Sequence, residues 1–137
     1  MDEKSICAAQ AVRSTARLLT RRYEDALRPT GLTASQYTIL SALTRHNGLS
    51  PSKIGEVLSF DQTTIPRLLD PMRRKGLVQL LPDPNDARRK VVEITQEGRD
   101  LFAQANALWQ QAQDRTLDRL SPEEWSQARS LLAKLTD

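Results

Sequence analysis

The sequence predicts a mainly α-helical chain with one small β-hairpin, which falls near residues 77–95. Apolar residues recur every three or four positions over long segments on both sides of the hairpin, as in amphipathic helices. Capping and turn residues separate these segments, and two short apolar runs flank a loop rich in proline and aspartate. The 137 residues fit a single domain, and the sequence contains no internal repeat or linker.

Two helices open the chain. The first is predicted over residues 5–28 and ends at the Pro-Thr-Gly sequence of residues 29–31. The second begins after Thr33, because Gln36 three residues later completes a capping box, and it ends at residues 46–48. The inner face of this second helix is predicted to comprise Tyr37, Leu40 and either Ala42 or Leu43.

A short third helix and a longer fourth helix follow. Ser50 is a capping residue before a proline, so it is predicted to start the third helix. The residues expected to be buried on that helix are Ile54, Val57 and Leu58. Asp61 is predicted to cap the fourth helix, which runs to Lys75 and is closed by Gly76. Pro71 lies inside this helix, where it removes a main-chain hydrogen bond and bends the axis.

The hairpin separates these helices from two more. Its strands are predicted at residues 77–81 and 90–94, with a turn-rich loop at 82–89 between them. A fifth helix at 96–119 and a sixth from Ser121 to the end complete the chain. Two short helices in tandem, followed by a two-stranded ribbon with a basic tip, indicate a winged helix-turn-helix with long N- and C-terminal helices.

Composition limits the function. The net charge of +3 is compatible with nucleic acid, whereas an aromatic content of 4% argues against a base-stacking surface. One cysteine excludes an intramolecular disulfide and a multi-cysteine zinc site, and the single histidine, His46, is expected to cap a helix or face solvent. We therefore expect no cofactor, no metal and no enzyme activity. Met1–Lys4 precede no apolar stretch, so we expect no signal peptide and no membrane contact, and a cytoplasmic location.

The fourth helix carries the main functional signal. Its apolar face is predicted to be Ile65, Leu68, Leu69 and Met72. The opposite side offers amide, hydroxyl and guanidinium groups, which are the groups that bond base edges in the major groove. The residues predicted to face bases are Gln62, Thr63, Thr64 and Arg67. Taken alone, this pattern also fits an ordinary surface helix with a solvated polar face.

The hairpin tip adds a second signal. Three consecutive cations project from the body, and arginine is favoured where a side chain enters the narrow minor groove. These wing residues are Arg88, Arg89 and Lys90. Asp86 is expected to orient the Arg88 fork by a charge-assisted bond. Phosphate contacts are predicted for Ser52, Lys53, Arg73 and Arg74, although the last two could instead complement the negative helix end.

Several stretches resemble the multiple antibiotic resistance regulator (MarR) family. They are Gly31-Leu32-Thr33 with Gln36-Tyr37, Asp61-Gln62-Thr63-Thr64-Ile65, Arg74-Lys75-Gly76-Leu77-Val78, and Asp86-Ala87-Arg88 followed by Thr95 and Glu97-Gly98. The last stretch is similar to the family's wing signature, Asp-x-Arg before the second strand. The resemblance covers essentially the whole chain, residues 1–137, as one MarR-like domain.

The resemblance implies a homodimeric DNA-binding regulator. Residues 1–30 and 96–137 would form dimerisation helices, and residues 31–95 a DNA-binding lobe whose wing spans 77–95. Two recognition helices would meet successive major grooves of a palindromic operator. Most such proteins repress genes and release DNA when a small aromatic or phenolic compound binds. Candidate pocket residues are Arg17, Tyr37 and Trp109.

One branch of the family senses peroxides through a cysteine on the first helix. The matching position here is Ala9, and Cys7 lies two residues away, about 200° around the helix. The tyrosine expected after Thr33 is Ala34. The resemblance therefore argues against this mechanism, and we expect Cys7 to be a small buried or semi-buried residue. A winged-helix protein-interaction module and a thiol-based redox sensor remain the alternative functions.

Overall fold

The computed structural model describes residues 5–137, which form six α-helices and one two-stranded antiparallel sheet. The helices are α1 (Ala8–Leu27), α2 (Ala34–Arg45), α3 (Pro51–Leu58), α4 (Thr64–Arg74), α5 (Gln96–Leu117) and α6 (Pro122–Lys134), and the strands are β1 (Val78–Asp83) and β2 (Asp86–Ile94). A short 3₁₀ turn, Arg28–Thr30, follows α1. This arrangement confirms the predicted fold class.

The sequence led us to expect neither a signal peptide nor membrane contact. The first expectation rests on Met1–Lys4, which lie outside the described residues. Over residues 5–137, none of the helices combines the length and the apolar character that crossing a bilayer requires.

Four of the predicted helix starts are formed by side-chain caps. The Thr33 hydroxyl accepts the Gln36 main-chain N–H at 3.2 Å, and the Gln36 side chain accepts the Thr33 N–H at 3.1 Å. Ser121 and Glu124 form the same reciprocal pair at the start of α6. Single caps start α3 and α5, at Ser50 and Thr95. These bonds satisfy main-chain donors that have no partner within the helix.

The fourth helix begins later than the sequence predicts. Asp61 does not cap it, because its carbonyl accepts the Thr64 N–H at 2.9 Å in a turn, and Thr63 is the residue before the helix. Pro66 consequently lies in the first turn, where no main-chain donor is needed. Pro71 remains inside the helix, as predicted, and Gly76 follows it with a φ of 75°, a left-handed conformation that favours glycine.

The hairpin is longer and its turn tighter than predicted. Most of the expected loop belongs to the strands, and only residues 84–85 separate them. The Asp83 carboxylate accepts the main-chain N–H of Asn85 at 2.9 Å, which shortens the connection. Pairing runs regularly from Val78↔Ile94 to Pro82↔Lys90 and then shifts, so residues 87–89 are bulged out of register.

The core joins the helices to the inner face of the sheet. Its largest fully buried side chains include Leu27, Ile39, Leu40, Leu43, Ile54, Ile65, Met72 and Val92. Leu58 is half-buried, but the prediction for Val57 is wrong, since 54% of it is exposed. At 100° per residue, Ile54, Gly55 and Leu58 share one narrow face of α3, and Val57 lies outside it.

The terminal helices have little to pack against in one chain. Only the last residue of α1 is buried, and α6 buries none. Large apolar residues exposed on or beside these helices are Ile6, Val12, Leu18, Leu131, Leu132 and Leu135. Cys7 is exposed, contrary to expectation, because it precedes the first turn of α1, the largely unburied helix.

Candidate nucleic-acid interface

The turn between α3 and α4 fixes the direction of α4. Ser59 adopts a left-handed conformation, and the Phe60 N–H donates to the Gly55 carbonyl at 2.9 Å. The Gln62 amide donates to the Ser52 carbonyl at 3.2 Å, which ties the start of α4 to the start of α3. A Cβ at Gly55 would lie 2.4 Å from the Gln62 amide nitrogen, so glycine there makes room for this bond.

The outer face of α4 matches the predicted pattern. Ile65, Leu69 and Met72 are buried, whereas Thr63 and Arg67 are exposed on the other side. The Thr63 hydroxyl makes no capping bond. Within residues 5–137 no carboxylate oxygen lies within 4.0 Å of the Arg67 guanidinium. Both polar groups are therefore available to a ligand at the N-terminal part of the helix.

Two of the predicted base-facing residues have additional structural roles. Thr64 is half-buried at the first position of α4, so less of its side chain reaches solvent than at Thr63. Gln62 is exposed, but one N–H of its amide already bonds the Ser52 carbonyl, which leaves its second N–H and its side-chain oxygen for other partners. The sequence pattern could not distinguish these two residues from Thr63 and Arg67, because the difference arises from the packing of α3.

The wing tip is a preorganised cationic loop. One oxygen of Asp86 accepts both the main-chain N–H of Arg88 at 3.1 Å and its side-chain Nε at 3.2 Å. The other oxygen lies 3.8 Å from the Arg89 Nε. The Arg88 side chain is nevertheless 92% exposed and that of Arg89 76%. Asp86 thus occupies the orienting position that the sequence predicts, while both guanidinium groups project into solvent; the neighbouring Lys90 is exposed as well.

The predicted phosphate contacts are all exposed, but two are paired with acids. Lys53 lies 3.3 Å from the Glu56 carboxylate, and Arg73 lies 3.8 Å from Asp70. The other two, Ser52 and Arg74, have exposed side chains. Solvent-exposed pairs of this kind contribute about 0–1 kcal/mol, so a phosphate group could displace them at small cost.

The structure brings two of the three candidate pocket residues, Tyr37 and Trp109, into direct contact. Tyr37 and Trp109 stack with ring centroids 4.1 Å apart, and Phe102 and Tyr23 extend the cluster across α1, α2 and α5. Arg17 is an exposed residue nearer the start of α1. In the part of the chain that the structure covers, no hydrogen bond or cation–π contact joins it to either ring.

Polar bonds at both ends hold the aromatic cluster. The Tyr37 hydroxyl donates to Asn106 at 2.9 Å, and the Tyr23 hydroxyl donates to Gln113. Burial raises the pKa of Tyr37 above its ordinary value, and the nearby Arg45 charge partly offsets this. Of the partners on α5, the sequence pointed only to Trp109. Phe102, Asn106 and Gln113 were missed, although together with Trp109 they follow a three-to-four-residue helical spacing that could have revealed one face.

Known proteins are similar in sequence to parts of this chain. A family model described as MarR family matches residues 30–89. The transcriptional regulator HosA of Escherichia coli O111:H- is 31% identical over 104 residues, which cover 76% of this chain and 77% of HosA. The chain belongs to the MarR family. The multiple antibiotic resistance protein MarR of Salmonella typhimurium is 31% identical over 86 residues, 63% of this chain but only 60% of that protein.

The fold comparison extends the MarR-family match to both ends of the chain. The crystal structure of the M. tuberculosis transcriptional regulator MosR in complex with DNA has a TM-score of 0.85 to this structure. The two are 33% identical, and the match covers 95% of this chain and 93% of MosR. The terminal helices that lie outside the family model are therefore part of the shared fold. Among residues 5–137, no group of three His, Cys, Asp or Glu side chains is arranged to hold a metal ion.

Proposed function

We propose that this protein is a sequence-specific, double-stranded DNA-binding transcriptional regulator that acts as a homodimer. The observation that supports it most directly is the wing tip, where Asp86 orients two arginines that remain exposed. Arginine side chains held in this way suit the narrow minor groove. The relationship to MosR, whose structure was determined with DNA, supports the same assignment.

The α4 helix is proposed to read the major groove. Its exposed start presents the Thr63 hydroxyl and the Arg67 guanidinium, groups that bond base edges, and the half-buried Thr64 is adjacent. Gln62 is assigned a shared role: its amide nitrogen holds the turn and its side-chain oxygen accepts from a base. Arg73, Arg74, Lys53 and Ser52 are proposed to contact phosphates.

Dimerisation is proposed to use the terminal helices. Residues 1–30 and 96–137 are assigned to this part, and residues 31–95 to the DNA-binding lobe. The apolar residues exposed on α1 and α6 have no partner surface within the described chain, and a second copy related by a twofold axis would cover both sets. The same axis would place two recognition helices on successive half-sites of a palindromic operator.

Repression relieved by a small aromatic compound is the proposed regulation. The cluster of Tyr23, Tyr37, Phe102 and Trp109 links α1 and α5 to α2 of the lobe. A ring inserted beside Tyr37 or Trp109 would alter the position of the lobe relative to the terminal helices. Because the existing rings are already stacked, the compound would have to displace one of them.

Salt-dependent DNA binding tests the proposal. We expect Arg88→Ala to weaken binding to DNA from upstream of the protein's own gene. It should also reduce the slope of log K against log salt concentration by about 0.9, since one fewer phosphate is neutralised. Arg88→Lys is the matched control, because it keeps the charge and should keep the slope. Unchanged binding of Arg88→Ala at every salt concentration would contradict the proposal and favour a protein-interaction module.

A thiol-based sensor is the second candidate, since Cys7 is exposed. If it is correct, hydrogen peroxide or diamide should lower DNA affinity in the wild-type protein and leave Cys7→Ser unaffected. Equal responses of the two proteins, or no response, would exclude this role.

A further inference from the structure

A groove between α1 and α5 is lined by arginines that the proposed DNA interface does not use. Its volume is about 690 Å³, within the range of small-molecule sites. The residues that line it are Leu18, Arg21, Arg22, Asp25, Ala26, Ala112, Arg115 and Arg119. The groove shares no residue with the aromatic cluster or with the candidate pocket residues Arg17, Tyr37 and Trp109.

The charges in this groove are unbalanced. Four guanidinium groups face one carboxylate, and that carboxylate, Asp25, is already bonded to Arg28 at 2.5 Å. Over residues 5–137 none of the four arginines lies within 4.0 Å of an acidic oxygen. Like charges gathered in a concave site raise the local positive potential and attract anions.

The same walls also offer carbon surface. Ala112 is buried and Ala26 is half-buried, and both line the groove. A ligand made only of charged groups would leave these atoms unused, whereas an organic ligand would cover them.

We propose that this groove binds a small organic polyanion, a molecule with two or more phosphate or carboxylate groups on a carbon framework. Guanidinium forks bind such groups through paired, charge-assisted hydrogen bonds. Arg21 and Arg22 on α1 line the groove together with Arg115 on α5 and Arg119 in the turn after α5, so one ligand can be held from both sides. The site differs in place and in ligand charge from one for a neutral or singly charged aromatic compound.

Calorimetric titration with three probes tests the proposal. Inorganic tripolyphosphate, citrate and ATP are added to the full chain, with neutral adenosine as the control ligand. We expect saturable binding of at least one polyanion at one site per chain and none of adenosine. Tighter binding of ATP than of tripolyphosphate would show that the apolar walls contribute, and citrate distinguishes carboxylate from phosphate ligands.

Paired variants locate the site. Arg115→Gln with Arg119→Gln should weaken polyanion binding by tenfold or more, since each charge-assisted bond is worth about that much. Arg88→Gln with Arg89→Gln removes the same charge from the wing and should leave this binding unchanged. Circular dichroism establishes that both proteins are folded.

Three results would overturn the proposal. The first is the absence of binding by any polyanion, and the second is an equal loss in both variants, which would indicate nonspecific attraction. The third is that a second copy of the chain fills the groove with the first turn of its α6, which carries Glu123 and Glu124. In that case the Arg115/Arg119 variant would have a lower mass by light scattering than the wild-type protein, and no polyanion would bind to either. DNA binding by the Arg115/Arg119 variant is measured in parallel, so this proposal can fail while the proposed function stands.

Discussion

Asp86 can orient the wing through a main-chain hydrogen bond or through ion pairs with the arginine side chains, and two substitutions distinguish these roles. Its carboxylate fixes the main chain by accepting the Arg88 N–H at 3.1 Å, and it pairs with the side chains of Arg88 at 3.2 Å and Arg89 at 3.8 Å. Asp86→Asn retains an acceptor oxygen for the main-chain bond but loses the ionic attraction. Asp86→Ala loses both.

The magnitudes favour the main-chain bond. The Arg88 side chain is 92% exposed, so its ion pair is worth about 0–1 kcal/mol, and removing a carboxylate also removes a repulsion of the DNA phosphates. The main-chain hydrogen bond is worth about 0.5–1.5 kcal/mol and orders the loop. We therefore expect Asp86→Ala to bind operator DNA about 2–12-fold more weakly. Asp86→Asn should stay within about threefold of the wild type.

Fluorescence anisotropy with labelled operator DNA at several salt concentrations measures both variants. Neither variant removes a cation, so the salt slope should match that of the wild type. If Asp86→Asn proves as weak as Asp86→Ala, the charge rather than the turn positions the arginines, and the reasoning is wrong. Wild-type affinity in both variants would show that the wing needs no orientation.

Two further predictions concern stability. Gly98→Ala would place a methyl group 2.2 Å from the Leu77 carbonyl and 2.8 Å from the Ile94 side chain. Although alanine has the better helix propensity, this crowding should lower the free energy of unfolding by about 2 kcal/mol or more, as measured by urea denaturation. A Gly98→Ala protein as stable as the wild type would refute the close approach. The second prediction concerns Tyr37, whose pKa burial raises above the unfolded value near 10. Its neutral hydroxyl therefore contributes to stability in full below pH 10, and that contribution is lost as the pH rises through the higher folded pKa. In melts above pH 9, the free energy of unfolding of Tyr37→Phe should fall less with rising pH than that of the wild type. An equal fall in the two proteins would exclude this role of Tyr37.

Local sequence signals predicted the starts of α2, α3, α5 and α6 well, because each of these starts is encoded within a few residues. The capping boxes at Thr33 and Ser121 are examples, since both partners lie three residues apart. Errors occurred where packing decided the outcome. Val57 is apolar but lies off the buried face of α3, and Asp61 joined a turn fixed by the α3–α4 connection instead of capping a helix.

The proposed DNA-binding site likewise combines contacts that are local in sequence with contacts that depend on packing. The Asp86–Arg88 pair is two residues apart and was predictable from spacing, whereas the bond from Gln62 to Ser52 spans ten residues and required the fold. The arginine groove joins residues more than 85 positions apart on α1 and α5, and its members are unremarkable surface arginines in the sequence. Long-range chemistry of this kind follows from helix packing, which a single sequence does not specify.

The last helix shows why one chain gives an incomplete account of this protein. A helix of 13 residues is marginal in isolation, and most helical stability comes from burying an apolar face. Yet α6 buries no residue, while Leu131, Leu132 and Leu135 on or beside it are about half exposed. Its capping box fixes where it begins but cannot replace that burial. The stability of α6 therefore depends on a surface that the described chain does not supply, and its folding should depend on protein concentration if a second copy supplies it.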